Sequence, residues 1–371
     1  MLNKTLNNLF FTLLIAAISF LSVQAQTPTP TPKPDDEGEV LRVTSTLVTV
    51  PVSVTDAAGQ PVQGLAKTDF QIAEENKTQQ VEEIGSAEQV PLEIALLIDV
   101  SGSTNKIFEL EKNAAAEFLR GVMRADDRAT VFFITDKPIM AQGRDNAENT
   151  AVKVRSIQAT RSSTAFYDTV TAAAKYLGQY APPRSRRVVL VLSDGEDNFS
   201  EYTRTNAVKD FDRNLDINKL TRKEQEERRQ QRESLTAKRH APAQAAVLKA
   251  LQNADTVFYS LNPSGPSVRL NVASQRAQNG LQMFADETGG TAFLPQFITE
   301  KNASSFEQQN VAILERIFRQ ISAELRAQYL LQYYSDTDFP TGRYVKLRVG
   351  LNNRPALRVR ARQGYFAKEQ Q

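Results

Sequence analysis

The chain has no cysteine and only one histidine, His240. The first absence excludes a disulfide framework, a thiolate metal site and a lipidated cysteine behind an export signal. The second leaves any serine nucleophile without a ready general base, because His240 lies inside a highly charged stretch and reads as a surface residue. Net charge is nearly absent as well: 45 lysines and arginines face 43 aspartates and glutamates. No global field therefore selects nucleic acid or an acidic partner, and specific binding must come from a local site. Beyond the N-terminus no apolar run is long enough to span a membrane, so no span is expected in the mature chain. A phosphate-cradling loop is missing too, since no glycine-lysine-threonine sequence follows Gly102.

What is present begins with Lys4, an apolar stretch from Leu9 to Val23, and the small-residue pattern Val23-Gln24-Ala25. Residues 1–25 read as a signal peptide. An uncleaved anchor is the competing reading, weakened by Thr12 and Ser19 and by a run short of the roughly 20 residues a span needs. Export without disulfides implies a periplasmic or secreted protein of the cell envelope. Residues 26–40 contain "TPTPTPKPDDEGE", whose alternating prolines deny both helix and ladder hydrogen bonds, so this is an extended linker.

The remainder of the 371 residues has room for two domains at roughly 100–200 residues each. Residues 41–90 alternate, with Val48, Val50, Val52 and Val54 on one strand face, followed by a turn at "AAGQP" and two shorter strands. Residues 91–328 differ, because their strands are continuous apolar runs: "IALLID", "ATVFFIT", "RVVLVLSD" and "TVFYSL". Helical patterns separate them, as in Ile107, Leu110, Ala114, Phe118 and Val122, and one helix is expected to begin after Pro242. These features predict an α/β fold with a doubly wound, mostly parallel sheet and helices on both faces. A charged insertion at about 205–240 interrupts the rhythm and reads as a solvated helix. A basic recognition arm is the alternative, but no aromatic residues interleave its charges for base stacking. Alternation returns over residues 329–367, and these strands are expected to pair with the N-terminal ones in a small β domain.

In such a sheet, ligands bind at the carboxyl ends of the strands. Three polar clusters fall there or at a helix start: Asp99-x-Ser101-x-Ser103, then Thr164, then Asp194 in "SDGED". Two carboxylates and three hydroxyls are hard oxygen donors, suited to Mg2+, with Mn2+ or Ca2+ as substitutes, and unsuited to zinc. Each cluster alone could instead be a helix cap or a turn. Coordination among three separated loops is what capping does not require. Glu196 and Asp197 read as a solvated loop.

With these residues in place, the chain resembles the von Willebrand factor type A domain and its metal-ion-dependent adhesion site. Its D-x-S-x-S loop, distal threonine and distal aspartate match Asp99, Ser101, Ser103, Thr164 and Asp194. It also resembles a bacterial exported family of related proteins through "VPVSVTDAAGQPVQGLAKTDFQI", "ETGGTAF" and "RQGYF". The resemblance implies direct metal ligation by Ser101 and Ser103, and by Thr164 directly or through water. Asp99 and Asp194 would hold waters and the serine hydroxyls. Such an ion, left under-neutralised, accepts an aspartate or glutamate carboxylate from a protein partner.

Three functions are compatible with this reading. The first is a metal-dependent protein-binding module without enzymatic activity. The second is an envelope scaffold that does not depend on metal. The third is a metal-dependent hydrolase, disfavoured by the small number of carboxylates and the absence of a nucleophile elbow around Ser101.

Overall fold

The computed structural model describes residues 46–101, 106–160, 162–204, 220–266, 271–298 and 303–368. The signal peptide, the proline-rich linker and Ser103 lie outside the described residues, as does much of the charged insertion.

The chain opens with β1 (Thr46–Thr55), β2 (Phe70–Glu74), β3 (Lys77–Gln79) and β4 (Glu83–Ser86). The central layer follows as β5 (Leu92–Asp99), α1 (Lys106–Val122), β6 (Arg128–Ile134), β7 (Pro138–Asp145), α2 (Ala147–Arg155), α3 (Phe166–Tyr180) and β8 (Arg186–Leu192). It continues through α4 (Arg222–Asn253), β9 (Thr256–Leu261), α5 (Val272–Thr288), β10 (Ala292–Phe293) and α6 (Ala303–Ala327). The chain closes with β11 (Tyr329–Ser335), β12 (Tyr344–Leu351), β13 (Arg358–Ala361) and β14 (Gly364–Phe366).

The central sheet has the order β10-β9-β8-β5-β6-β7. All neighbours are parallel except β7, which runs antiparallel to β6. From Leu92 to Ile98 every residue of β5 is at most 1% exposed. This burial follows from helices on both faces. Ile94, Leu96 and Ile98 pack with Phe118 of α1, Val154 of α2 and Ile321 of α6. Ala95 and Leu97 turn the other way, to Val170 of α3, Val247 of α4 and Phe284 of α5. Each of these leucine and isoleucine side chains contributes about 2 kcal/mol through removal from water. Because the chain leaves β5 for β6 on one side and places β8 on the other, the winding reverses at β5, and Asp99 ends that strand.

The helix expected to start after Pro242 instead begins at Arg222 and runs unbroken for 32 residues with Pro242 inside it. Thr221 and Glu224 cap it reciprocally. Pro242 cannot supply a backbone donor, but it lies on the exposed side, where water can serve the freed carbonyl. The charged first half is solvated, whereas Ala243, Val247 and Leu251 are buried against the sheet.

The flanking strands form two antiparallel sheets, β13-β1-β11-β4 and β14-β12-β2-β3. Each mixes strands from the two ends of the chain, and Val50 of β1 lies opposite Leu331 of β11. Val48, Val50, Val52 and Val54 share a core with Ile72, Leu331, Tyr333 and Leu347. Inside this core Glu74 accepts hydrogen bonds from Tyr333 Oη at 2.9 Å, Ser335 Oγ at 2.6 Å and Tyr365 Oη at 2.5 Å. A buried carboxylate is tolerated because hydroxyls surround it. Replacing Glu74 by glutamine sets an amide NH2 against these donors and is expected to cost about 1–2 kcal/mol. Urea unfolding of Glu74→Gln checks this; a midpoint equal to wild type would contradict it.

Candidate metal centre

The site is assembled from three loops. Asp99 uses its two carboxylate oxygens separately: Oδ1 accepts from Ser101 N at 3.0 Å and Ser101 Oγ at 2.5 Å, and Oδ2 accepts from Ser193 Oγ at 2.8 Å. Thr164 Oγ1 donates to Ser101 Oγ at 2.9 Å, which ties the loop before α3 to the loop after β5. Thr164 is itself clamped by Asn198, whose Oδ1 accepts from Thr164 N at 2.9 Å and whose N donates back to the Thr164 carbonyl at 3.0 Å.

Asp194 follows β8 in the third loop. Its Oδ1 accepts from Glu196 N at 2.9 Å, and its neighbour Ser193 carries the bond to Asp99. The turn is tight because Gly195 has φ +77°, and a Cβ there would lie 2.8 Å from Leu281 Cγ. Burial pushes the Asp194 carboxyl up to about 6, with the Asp99 and Glu196 charges adding to the shift. Asp99, Ser101 and Thr164 thus form one hydrogen-bonded chain with Asp194 held beside it.

Two neighbouring acids, Asp99 and Asp194, have no ion-pair partner among the described residues. Both are half-buried, and acids drawn out of water in this way are ordinarily neutralised, paired or bound to a cation. The donors are all oxygen, which fits a hard divalent cation. Among the described residues no three histidine, cysteine, aspartate or glutamate side chains cluster as a metal site, so any ion here would draw on hydroxyls.

Three residues have roles that local sequence does not reveal. Asp197 is not a solvated loop residue: its Oδ2 accepts from Tyr167 N at 3.0 Å, and its carboxylate also takes the Ser200 and Thr203 hydroxyls. It thereby caps α3, which starts after Ala165, a residue with no side-chain acceptor. Glu196 likewise accepts from Ser274 Oγ on α5. Glu111 of α1 is buried, its Oε1 has no hydrogen-bond partner among the described residues, and its carboxyl is pushed up to about 8 by burial and then by Asp99. The one sequence signal for Glu111 is its spacing from Phe108, Ala115 and Phe118, which puts an acid on the apolar face of the helix.

His240 is not a free surface side chain either. It is half-buried on α4, with Nδ1 3.0 Å from Tyr167 Oη, and burial lowers its pKa. The fully apolar packing of the adjoining α4 segment pulls this end of the charged stretch onto the domain.

No protein-family model matches the chain, and no curated protein matches it significantly. Among solved structures, it is similar to a von Willebrand factor type A protein from Catenulispora acidiphila, at 11% identity and a TM-score of 0.40, over 88% of this chain and 75% of that one. The chain resembles von Willebrand factor type A proteins. It is also similar to an aerotolerance-related membrane protein from Bacteroides fragilis NCTC 9343, at 13% identity and a TM-score of 0.36, over 61% of this chain and 99% of that one. A third similar structure is proximal thread matrix protein 1 from the mussel byssus with a zinc-occupied MIDAS motif, at 12% identity and a TM-score of 0.34, over 66% of this chain and 48% of that one. At these identities, what the site can bind follows from its own side chains. Among the described residues, no helix is long and apolar enough to cross a membrane.

Proposed function

We propose that this chain is an exported protein-binding module, without a reaction step, that holds Mg2+ at the carboxyl edge of its central sheet and takes an aspartate or glutamate of a protein partner there. The observation that carries the reading is the pair of uncompensated carboxylates, Asp99 and Asp194, beside the hydroxyl chain of Ser101 and Thr164. Ser101, Thr164 and, by its place in the loop, Ser103 would hold the ion. Asp99 orients the Ser101 hydroxyl and Asp194 lends charge. When bound, the ion supplies a Lewis acid that neutral hydroxyls leave under-neutralised, which favours an incoming carboxylate.

Calorimetric titration of Mg2+ and Mn2+ into the mature protein tests this. Wild type is expected to give saturable heat, and Ser101→Ala is expected to bind at least about ten-fold more weakly. Equal heats for wild type, Ser101→Ala and Asp194→Ala would overturn the proposal.

A further inference from the structure

A second concave site lies at the other end of the domain. The last turns of α4 are joined to the first residue of β9 by only Ala254 and Asp255, so Leu248, Lys249 and Gln252 stand toward the amino edge of the central sheet. Asp99, Thr164 and Asp194 occupy the carboxyl edge. Between this part of α4 and the outer face of β12 and β14 is an open cleft of about 580 Å³. That volume falls within the roughly 300–1,000 Å³ typical of small-molecule sites.

One wall is built to hold its shape. Along β12, Tyr344, Lys346 and Arg348 point outward while Val345 and Leu347 enter the core. The Tyr344 ring lies over Gly364, where a Cβ would come within 2.4 Å of ring atom Cζ. Buried Gln252 donates to Tyr344 Oη at 3.3 Å, and the Phe366 ring sits 5.3 Å from that of Tyr344. Lys249 Nζ stands 5.5 Å from the centre of the Phe366 ring. Leu248 adds apolar surface opposite.

The cleft lining carries more cations than acids, with the Glu75 carboxyl beside it accepting from Lys346 N at 2.9 Å. Lys249, Lys346 and Arg348 have no acidic side-chain partner among the described residues, whereas nearby Arg360 pairs with Glu324 and Arg362 with Asp255. Glu287 is the one acid in the lining, against three cations. Three cations without an acidic side-chain partner, against one lining acid and beside two aromatic rings and an aliphatic wall, match a ligand with an anionic head and an apolar body. The cleft also draws together the "ETGG" and "RQGYF" segments, through Glu287, Gln363 and Phe366. Gln363 N donates to the Glu287 carbonyl at 3.1 Å, so the two segments brace each other.

We propose that the cleft between α4 and the β12–β14 face is a binding site for a small organic anion with an apolar body, such as a medium-chain or aromatic carboxylate. It does not depend on the metal centre.

Decanoate, used below its aggregation concentration and in EDTA, is the probe, with decylammonium and decanol as matched controls in calorimetry or ligand-observed NMR. Wild type is expected to bind one decanoate saturably, and each control at least about ten-fold more weakly. Lys346→Glu/Arg348→Glu alters two exposed side chains and is expected to lose at least about ten-fold in decanoate affinity with an unchanged circular dichroism spectrum. Asp194→Ala, placed in the proposed metal centre, should bind decanoate as wild type does, so failure of one site is distinguishable from failure of the other. Equal binding of all three probes, undiminished binding by the double variant, or no saturable binding would each overturn the proposal.

Discussion

In EDTA at pH 7, Asp194→Asn is expected to be more stable than wild type by about 1–3 kcal/mol, and to gain nothing when Mg2+ is added. The reasoning starts from the carboxyl pushed up to about 6 by burial and the Asp99 charge. Below the unfolded value of 3.8 both states hold the proton, and the group has no effect. Between 3.8 and about 6 the unfolded chain releases the proton while the folded chain keeps it, so wild-type stability falls as pH rises. Above about 6 the penalty is constant, at about 3 kcal/mol before any loss of the Glu196 amide bond in the variant is counted. A bound divalent cation reverses this penalty in wild type, adding about 2.7 kcal/mol at a hundred times its dissociation constant. Urea unfolding at pH 4 to 7, with and without Mg2+, measures both effects. Parallel pH profiles for the two proteins in EDTA would contradict the assignment of the uncompensated charge to this site.

Glu111→Gln should alter the pH dependence of stability even more strongly. Glu111 is buried, has an Oε1 without a partner among the described residues, and is pushed from 4.5 up to about 8 by burial and by Asp99. The folded chain therefore keeps this proton across neutral pH, and wild type loses stability steadily between about 4.5 and about 8. Glutamine preserves the shape and cannot ionise. The two proteins are expected to match near pH 4.5, while at pH 8 the variant should be more stable by about 2–5 kcal/mol. Glu111→Gln/Asp194→Asn should have the flattest profile of all, although the two sites are coupled through Asp99 and their effects need not add. A wild-type profile unchanged by Glu111→Gln would show that Glu111 is ionised and paired in solution.

Local pattern accounts for much of the fold. The alternation of Val48, Val50, Val52 and Val54 marks a strand with one buried face, and the run from Ile94 to Ile98 marks a strand buried on both. Periodicity did not reveal β7, because "PIMAQGRD" is an edge strand with shifted register and no regular apolar face. The rule that proline ends a helix misplaced the start of α4, since the rule assumes that the lost bond matters, and Pro242 sits on the exposed side, open to solvent.

Asp99, Ser101, Thr164 and Asp194 could be picked out as polar residues at the ends of apolar elements. That Thr164 touches Ser101 across 63 positions of chain could not, because it depends on how β5 and α3 lie in the folded sheet. Asp197 and Glu111 were hidden for the same reason: the first caps a helix 30 residues earlier in the chain, and the second is surrounded by side chains from other elements. The sequence by itself determined the absence of disulfides, strand and helix periods, and the types of donor available. Tertiary structure alone decided which donors meet, which acids lose their water, and how β1 finds β11 more than two hundred residues away. Local preferences act over a few residues, whereas desolvation and coordination depend on whatever the fold brings alongside.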